Sequence, residues 1–182
     1  FNFLCISLLG ARKNMENMVK WFVEEFRNEN VGLILKTSRT NGSRMDRNFT
    51  LNHFKKLLNS YSDRKCKVYL LHGDLTEEQI HSLYLRKDVH AFMSATHGEG
   101  YGLPIFESTY YGLPVVATDW SAHLDFLTAP FKEGGKQKDK KLFAKVDYDL
   151  KEIPPEAVWD KILIEGSRWA FPKENSFRKQ IR

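Results

Sequence analysis

Apolar and polar positions along the chain alternate between two rhythms. Phe3 to Leu9 is a nearly continuous apolar run, the pattern of a strand covered on both faces, and Gly10 to Asn14 reads as the turn that ends it. Met15, Met18, Val19, Phe22, Val23 and Phe26 then recur at helical spacing, with Glu16, Lys20, Glu24 and Arg27 between them. That spacing predicts an amphipathic helix over 15–28 whose apolar stripe covers the sheet. The same pair of signals repeats. Val31 to Leu35 is a second buried strand, Thr40 to Arg47 a polar loop, and Leu51, Phe54, Leu57, Leu58 and Tyr61 mark a second helix. Val68 to Leu71 is a third strand. Thr76-Glu77-Glu78-Gln79 is a capping box that opens a helix carrying Ile80, Leu83 and Tyr84. Val89 to Ser94 is a fourth strand, Thr96 to Pro104 a glycine-punctuated loop, Ile105 to Tyr111 a short helix and Leu113 to Ala117 a fifth strand.

Strands that alternate with helices must run parallel and be joined by right-handed crossovers. The predicted fold is therefore α/β, a doubly wound, Rossmann-like parallel sheet with helices on both faces, whose ligands bind beyond the carboxyl ends of the strands. No internal repeat is visible. The lysine-rich stretch Lys132 to Lys141 is read as a mobile surface loop, Leu142 to Val146 as a sixth strand, and Pro154 onward as a helix containing Val158, Ile162 and Ile164. Trp169 to Arg182 is amphipathic without a clear period, and packing against a neighbouring domain is one reading of it.

With 182 residues and 42% apolar content the chain can bury a proper core as one domain, 1–182. The formal charge of +5 suits an anionic partner, but basic residues are interleaved with acids rather than gathered into a stripe, so no nucleic-acid partner is expected. Cys5 lies in an apolar run and Cys66 stands between Lys65 and Lys67; neither has metal-type spacing, and a reducing, cytoplasmic setting is the simplest reading. No apolar run approaches the length of a membrane span. The chain opens directly in an apparent core strand, which suggests a domain cut from something longer.

Candidate chemistry concentrates in Thr96-His97-Gly98-Glu99-Gly100-Tyr101-Gly102-Leu103-Pro104-Ile105-Phe106-Glu107, where a strand ends and a helix begins. Gly98, Gly100 and Gly102 let a ligand approach the backbone, and a helix starting near Pro104 directs unpaired N–H groups and its positive end to the same place. A diphosphate suits such a spot; a tight structural turn is the competing reading. Glu99 in the loop and Glu107 on the helix can bring two carboxylates around one pocket, where they would accept hydrogen bonds from the hydroxyls of a sugar and a ribose. Alternatively Glu99 is a solvated loop acid and Glu107 a helix-terminal acid favoured by the macrodipole. Lys13 is either a ligand-facing cation or a surface lysine beside Arg12. His97 is a polar loop residue or a ligand contact. His72, His81, His90 and His123 form no metal spacing, Tyr101 and Trp120 are read as packing residues, and Asp125 as a capping or pairing acid.

The stretch from Glu99 to Glu107 matches a Glu-x7-Glu motif, and with the blocks Gly98 to Pro104 and Gly112-Leu113-Pro114-Val115-Val116-Ala117 the sequence resembles the group 1 glycosyltransferases. These are the retaining family-four class with the GT-B fold, and the similarity is to their C-terminal, donor-binding half; Asp74 to Leu83 resembles the helix entry that precedes the motif. The resemblance implies that Glu99 holds hydroxyls of the transferred sugar and Glu107 the nucleotide ribose. It implies that backbone amides from Gly100 through Tyr101 and Gly102 to Leu103 contact sugar and phosphate, and that Gly73 and Leu75 help to read the base. Family members offer an Arg and a Lys five positions apart after the first strand. Lys13 falls at the lysine position, whereas Leu8 occupies the arginine position, with Arg12 or Lys36 as candidate substitutes.

The implied reaction is transfer of a glycosyl group from a nucleotide diphosphate sugar to the hydroxyl of a glycan, lipid or protein acceptor, with retention at the anomeric carbon. Helix-end amides and Lys13 would stabilise the leaving diphosphate. No Asp-x-Asp pair is present, so metal independence is expected, and no cofactor beyond the nucleotide sugar. The acceptor site would lie largely on an N-terminal domain absent from this chain, and the isolated domain should bind donor but turn over little. The full-length enzyme would be cytoplasmic, with peripheral association with membrane as an alternative. Two other readings stand beside this one: a noncatalytic nucleotide-sugar binding module or subunit, and a GT-B-like sugar-nucleotide epimerase. A dehydrogenase is disfavoured, because Gly10-Ala11-Arg12-Lys13-Asn14 lacks the Gly-x-Gly-x-x-Gly turn; NAD is not expected.

Overall fold

Successive residues of the first strand face opposite layers, which is why its sequence is apolar without a break. In the computed structural model, which describes residues 1–182, strand β1 (Asn2–Ile6) turns Phe3 and Cys5 into one core and Leu4 into another. Strands β2 (Gly32–Lys36), β3 (Lys67–Leu71), β4 (Ala91–Ser94), β5 (Val115–Thr118) and β8 (Ala144–Val146) join it in one six-stranded sheet of order β3-β2-β1-β4-β5-β8. Every pairing in that sheet is parallel. The chain winds outward in one direction from β1 and returns to start the other half at β4, so the topological switch point lies between β1 and β4. The expected doubly wound α/β sheet is the observed one.

On one face lie α1 (Met15–Glu25), α2 (Arg44–Leu58) and α6 (Glu174–Ile181), packed through Met18, Val19, Phe22, Phe54 and Phe177 onto Leu33, Leu35, Met93 and Val146. On the other lie α3 (Glu77–Tyr84), α4 (Leu103–Tyr110) and the single turn α5 (Leu124–Leu127), packed through Tyr84, Ile105 and Leu127 onto Leu4, Phe92, Val115 and Ala117. The capping box opens α3 as predicted: Thr76 Oγ1 accepts from Gln79 N at 3.3 Å and Gln79 Oε1 accepts from Thr76 N at 2.9 Å. Ser43 caps α2, whose start at Arg44 takes up the end of the expected Thr40 to Arg47 loop.

Three C-terminal expectations are corrected. Lys132 to Lys141 is not a loop but most of a β-hairpin, β6 (Thr128–Glu133) and β7 (Lys136–Lys141), turning on Gly134 and Gly135 with φ of +57° and +77°. Two consecutive left-handed glycines match the right-handed twist of the strands they join, and the lysines project from an exposed ribbon. The helix expected from Pro154 does not form. A 3-10 turn, Pro155–Ala157, is followed by a bridge between Trp159 and Leu163, with Lys161 left-handed at φ +64° and Val158, Ile162 and Ile164 exposed. Trp169 to Arg182 belongs to this domain: β10 (Arg168–Pro172) pairs antiparallel with β9 (Tyr148–Glu152), and α6 docks on α1, with Phe177 fully buried beside Trp21 at 5.6 Å between ring centroids. Arg178 and Arg182 secure the docked helix on Glu25. No helix is long and apolar enough to cross a membrane.

Candidate active site

The loops after β1 and β4 meet at the switch point. After β1, a 3-10 turn over Ala11–Lys13 ends at Asn14, held left-handed at φ 51°, and starts α1. The buried Asn14 amide donates from Nδ2 to Ala95 O at 3.0 Å, which ties this turn to the end of β4. His97 N donates to Arg12 O at 2.9 Å, a second tie between the same loops. After β4 the chain runs to Gly102, which stands at the N-cap of α4 with φ +90°; a side chain there would be strained, and its Cβ would also sit against His123, Glu99 and Ile105.

Glu99 is the centre of the arrangement. Lys13 Nζ donates to both carboxylate oxygens, at 2.7 and 2.6 Å, and Arg12 Nη1 donates to Oε2 at 3.2 Å while also bonding Gly98 O. The Glu99 and Lys13 side chains are 10% and 22% exposed, so this ion pair is only partly screened by water. The Glu99 backbone is clamped as well: Ser121 Oγ accepts from Glu99 N at 2.9 Å and donates to Glu99 O at 2.6 Å. Ser121 is itself in the left-handed region at φ +93°, a conformation that costs a non-glycine residue about 1–3 kcal/mol and persists only where its surroundings enforce it. His123, fully buried two residues on, bonds Thr118 O through Nε2 at 2.8 Å; burial pushes its pKa down, so the ring is held neutral.

Around Glu99 opens a cavity of about 380 Å³ whose wall includes Leu8, Arg12, Lys13, Lys36, Gly102 and Pro104. Three cations therefore face one carboxylate, and the N-terminus of α4 borders the same space. Lys36, at the end of β2, has its pKa lowered by desolvation, against which Asp74 acts in the opposite sense. The β2–α2 loop is shaped by Asp46, which accepts backbone N–H groups of Arg39, Thr40 and Asn41 at 3.0, 2.6 and 3.3 Å and pairs with His72 at 2.8 Å. Those bonds, the one to His72 foremost, hold its carboxyl far below the usual carboxylate range.

Of the residues singled out in the sequence, Lys13, Arg12, Lys36, Glu99 and Gly102 are brought together around this cavity, and Leu8 lines it with 56% of its surface exposed. Gly98 contributes the carbonyl bonded by Arg12, and Gly100 has open space where a side chain would stand. Glu107 is on α4, where its Oε2 accepts from the buried Tyr84 hydroxyl at 2.8 Å. Tyr101 packs on Phe106 and Phe126, Leu103 is exposed at the start of α4, and Gly73 and Leu75 follow the end of β3. His97 does not line the Glu99 cavity; it is buried against Trp169 and Phe171. Ser121 and Asp46 went unread as contributors, because the first reaches the Glu99 backbone with its hydroxyl across 22 positions and the second collects N–H groups within its own loop.

A cation-lined cavity at the switch point of a doubly wound sheet is where such folds commonly take nucleotide or phosphate ligands. The model of the family "Glycosyl transferases group 1" matches residues 51–144, more than half of the 182, and the chain belongs to that family. Glu99 and Glu107 fall inside the matched segment; Arg12, Lys13 and Lys36 precede it. No curated protein matches the chain in sequence. Among solved structures it is similar to sucrose-phosphate synthase from Thermosynechococcus elongatus, at 16% identity and a TM-score of 0.56 over 99% of this chain and 35% of that one. A structure described as trehalose-6-phosphate from E. coli bound with UDP-2-fluoro glucose aligns at 12% identity and 0.50 over 69% and 31%. The apo lipopolysaccharide outer core galactosyltransferase WaaB aligns at 14% and 0.50 over 73% and 33%. The chain thus spans about a third of each of these proteins, and at such identities the likeness establishes the fold, that of GT-B glycosyltransferase domains.

Proposed function

We propose that this chain supplies the donor site for transfer of a glycosyl group from a nucleotide diphosphate sugar to a hydroxyl acceptor, with retention at the anomeric carbon. The observation that carries the reading is Glu99 held between Arg12 and Lys13 at the switch point. With Lys36 added, the cavity carries three positive charges against one negative, a surplus that matches the charge of a diphosphate.

In this reading the diphosphate enters over Lys13, Arg12 and the N-terminus of α4, which neutralise charge as the nucleoside diphosphate leaves; no metal is required for that step. As the cations turn to the phosphates, the Glu99 oxygens they occupied become acceptors for sugar hydroxyls. Ser121 fixes the Glu99 backbone while this exchange takes place. Glu107, anchored by Tyr84, would hold the ribose, and Gly73 and Leu75 would lie toward the base. Family membership and the one-third span support a further domain that brings the acceptor and most of the turnover. The two buried, unpaired cysteines suit a reducing, cytoplasmic setting.

The test is calorimetric titration with UDP-, GDP- and ADP-sugars and the free diphosphates, with and without chelator. Saturable binding of one donor, indifferent to chelator and weakened in Glu107→Ala, is the expected result. Absence of binding by a folded sample refutes the donor reading. The exposed Leu8 at the family's arginine position favours one second reading, a noncatalytic nucleotide-sugar module, which would bind donor but, joined to its full-length partner sequence, transfer nothing.

A further inference from the structure

The segment 8–14 separates the Glu99 cavity from a second one. Leu8, Arg12 and Lys13 line the first, whereas Leu9, Gly10, Ala11 and Asn14 line the second. The second cavity measures about 460 Å³, inside the range of sites that take small organic ligands. Its polar wall consists of Asn14, Glu16, Asn17, Arg39, His53 and His97.

His97 is the informative member. The residue is 93% buried, with its ring stacked on Trp169 at 5.6 Å and 12° and packed on Phe171 at 4.3 Å. Its Nδ1 lies 2.8 Å from Ala170 O; a carbonyl only accepts, so Nδ1 carries the proton. Burial lowers the pKa and keeps the ring neutral. Nε2 is therefore a lone pair in a fixed orientation, without a protein partner yet still open to solvent. A rigid, neutral, unpartnered acceptor in a cavity wall is suited to a hydroxyl group.

The rest of the wall offers complementary groups. Asn17 Nδ2 donates to Asn14 Oδ1 at 2.7 Å, which leaves Asn17 Oδ1 as a second acceptor. Arg39 supplies donors: its guanidinium rests 4.4 Å from the Phe49 ring centroid and pairs with no carboxylate. Interleaved acceptors and donors match a ligand whose groups do both, which is the pattern of a ring of hydroxyls. We propose that this second cavity binds a sugar ring, one hydroxyl of which donates to His97 Nε2. The site does not depend on the donor reading above, because the segment 8–14 stands between this ring and the Glu99 cavity.

The experiment follows the His97 Nε2 resonance of the ¹⁵N-labelled chain while glucose, galactose, mannose and N-acetylglucosamine are added in turn. At least one of these sugars should give a saturable shift, weakened about tenfold in Arg39→Ala by loss of one charge-assisted contact and unchanged in Lys13→Met. An unaltered His97 resonance in sugar-free Arg39→Ala shows that the variant keeps its fold. No shift with any of these sugars overturns the proposal. So does a shift that survives Arg39→Ala and disappears in Lys13→Met, which would put the sugar beside Glu99. Failure of the donor reading registers separately, as absence of nucleoside diphosphate binding while the sugar shift persists.

Discussion

Removing one partner of the Lys13–Glu99 pair should affect diphosphate binding in opposite directions depending on which partner is removed. Lys13→Met keeps most of the aliphatic stem and deletes the charge that donates to both Glu99 oxygens at 2.7 and 2.6 Å. A hydrogen bond to a charged group contributes about 1.5–3 kcal/mol, so its loss at the phosphates corresponds to about 10- to 150-fold weaker binding of the free nucleoside diphosphate. Glu99→Gln removes the group that occupies Lys13 and Arg12 before the ligand arrives. Separating a partly screened pair costs about 1 kcal/mol, so this variant should bind the free diphosphate about fivefold more tightly. The intact nucleotide sugar reports the other half of the exchange, because Gln has one acceptor oxygen fewer for the sugar hydroxyls. The ratio of sugar-nucleotide to diphosphate affinity should therefore fall about tenfold in Glu99→Gln. Calorimetric titration of the diphosphate identified in the donor panel, with and without its sugar, reads all three values. If Glu99→Gln weakens the free diphosphate as much as Lys13→Met does, the carboxylate is holding the turn together rather than competing with phosphate, and the proposed exchange is wrong.

Two further outcomes concern the scaffold. Ser121→Ala loses both hydrogen bonds to the Glu99 backbone and should cost about 1–3 kcal/mol, whereas Ser121→Gly loses the same bonds but relieves the φ of +93° and should be more stable than the Ala variant by about 1 kcal/mol; urea denaturation of the two variants decides, and equal stabilities would remove strain from the account. Phe177→Ala should destabilise the chain by about 3–5 kcal/mol in the same assay, since the ring is fully buried against Trp21 between α6 and α1, while a loss below about 1 kcal/mol would mean that α6 is not part of this domain's core.

The sheet was legible because burial on both faces leaves a mark in sequence that burial on one face does not. Within the sheet region the runs of apolar residues became strands and the 3.6-residue stripes became helices on one of its two layers. The signal failed where the chain leaves the sheet. Lys132 to Lys141 contains few apolar residues to report its alternation, and its strands exist because Gly134 and Gly135 close a two-residue turn. Val158, Ile162 and Ile164 carry spacing that suits a helix, but nothing packs over them, and a helix without a buried face gains little in water. Trp169 to Arg182 gave no single period because it holds two elements, a strand in β10 and a helix in α6, each too short to establish one.

The site was legible to the extent that its residues are near one another in sequence. Glu99 and the turn at Gly102 fall in one motif, and Lys13 follows the first strand, so their convergence required only the switch-point rule. The cations gathered near Leu8 were not legible in the same way, because they converge only in three dimensions. Arg12 reaches Glu99 from the adjoining turn, and Lys36 arrives from the end of β2, hydrogen-bonded in register beside β1. Neither spacing resembles an arginine five positions before Lys13, yet the cavity still gathers three cations. His97 shows the opposite effect. Adjacency in the motif suggested that it serves the same ligand as Glu99, but the segment between β4 and Gly102 is irregular rather than a strand, and it turns His97 toward Phe171 and Glu99 toward Lys13. One short loop thus contributes to two cavities, and the geometry that keeps His97 out of the Glu99 cavity leaves its Nε2 unpartnered in the wall of the other.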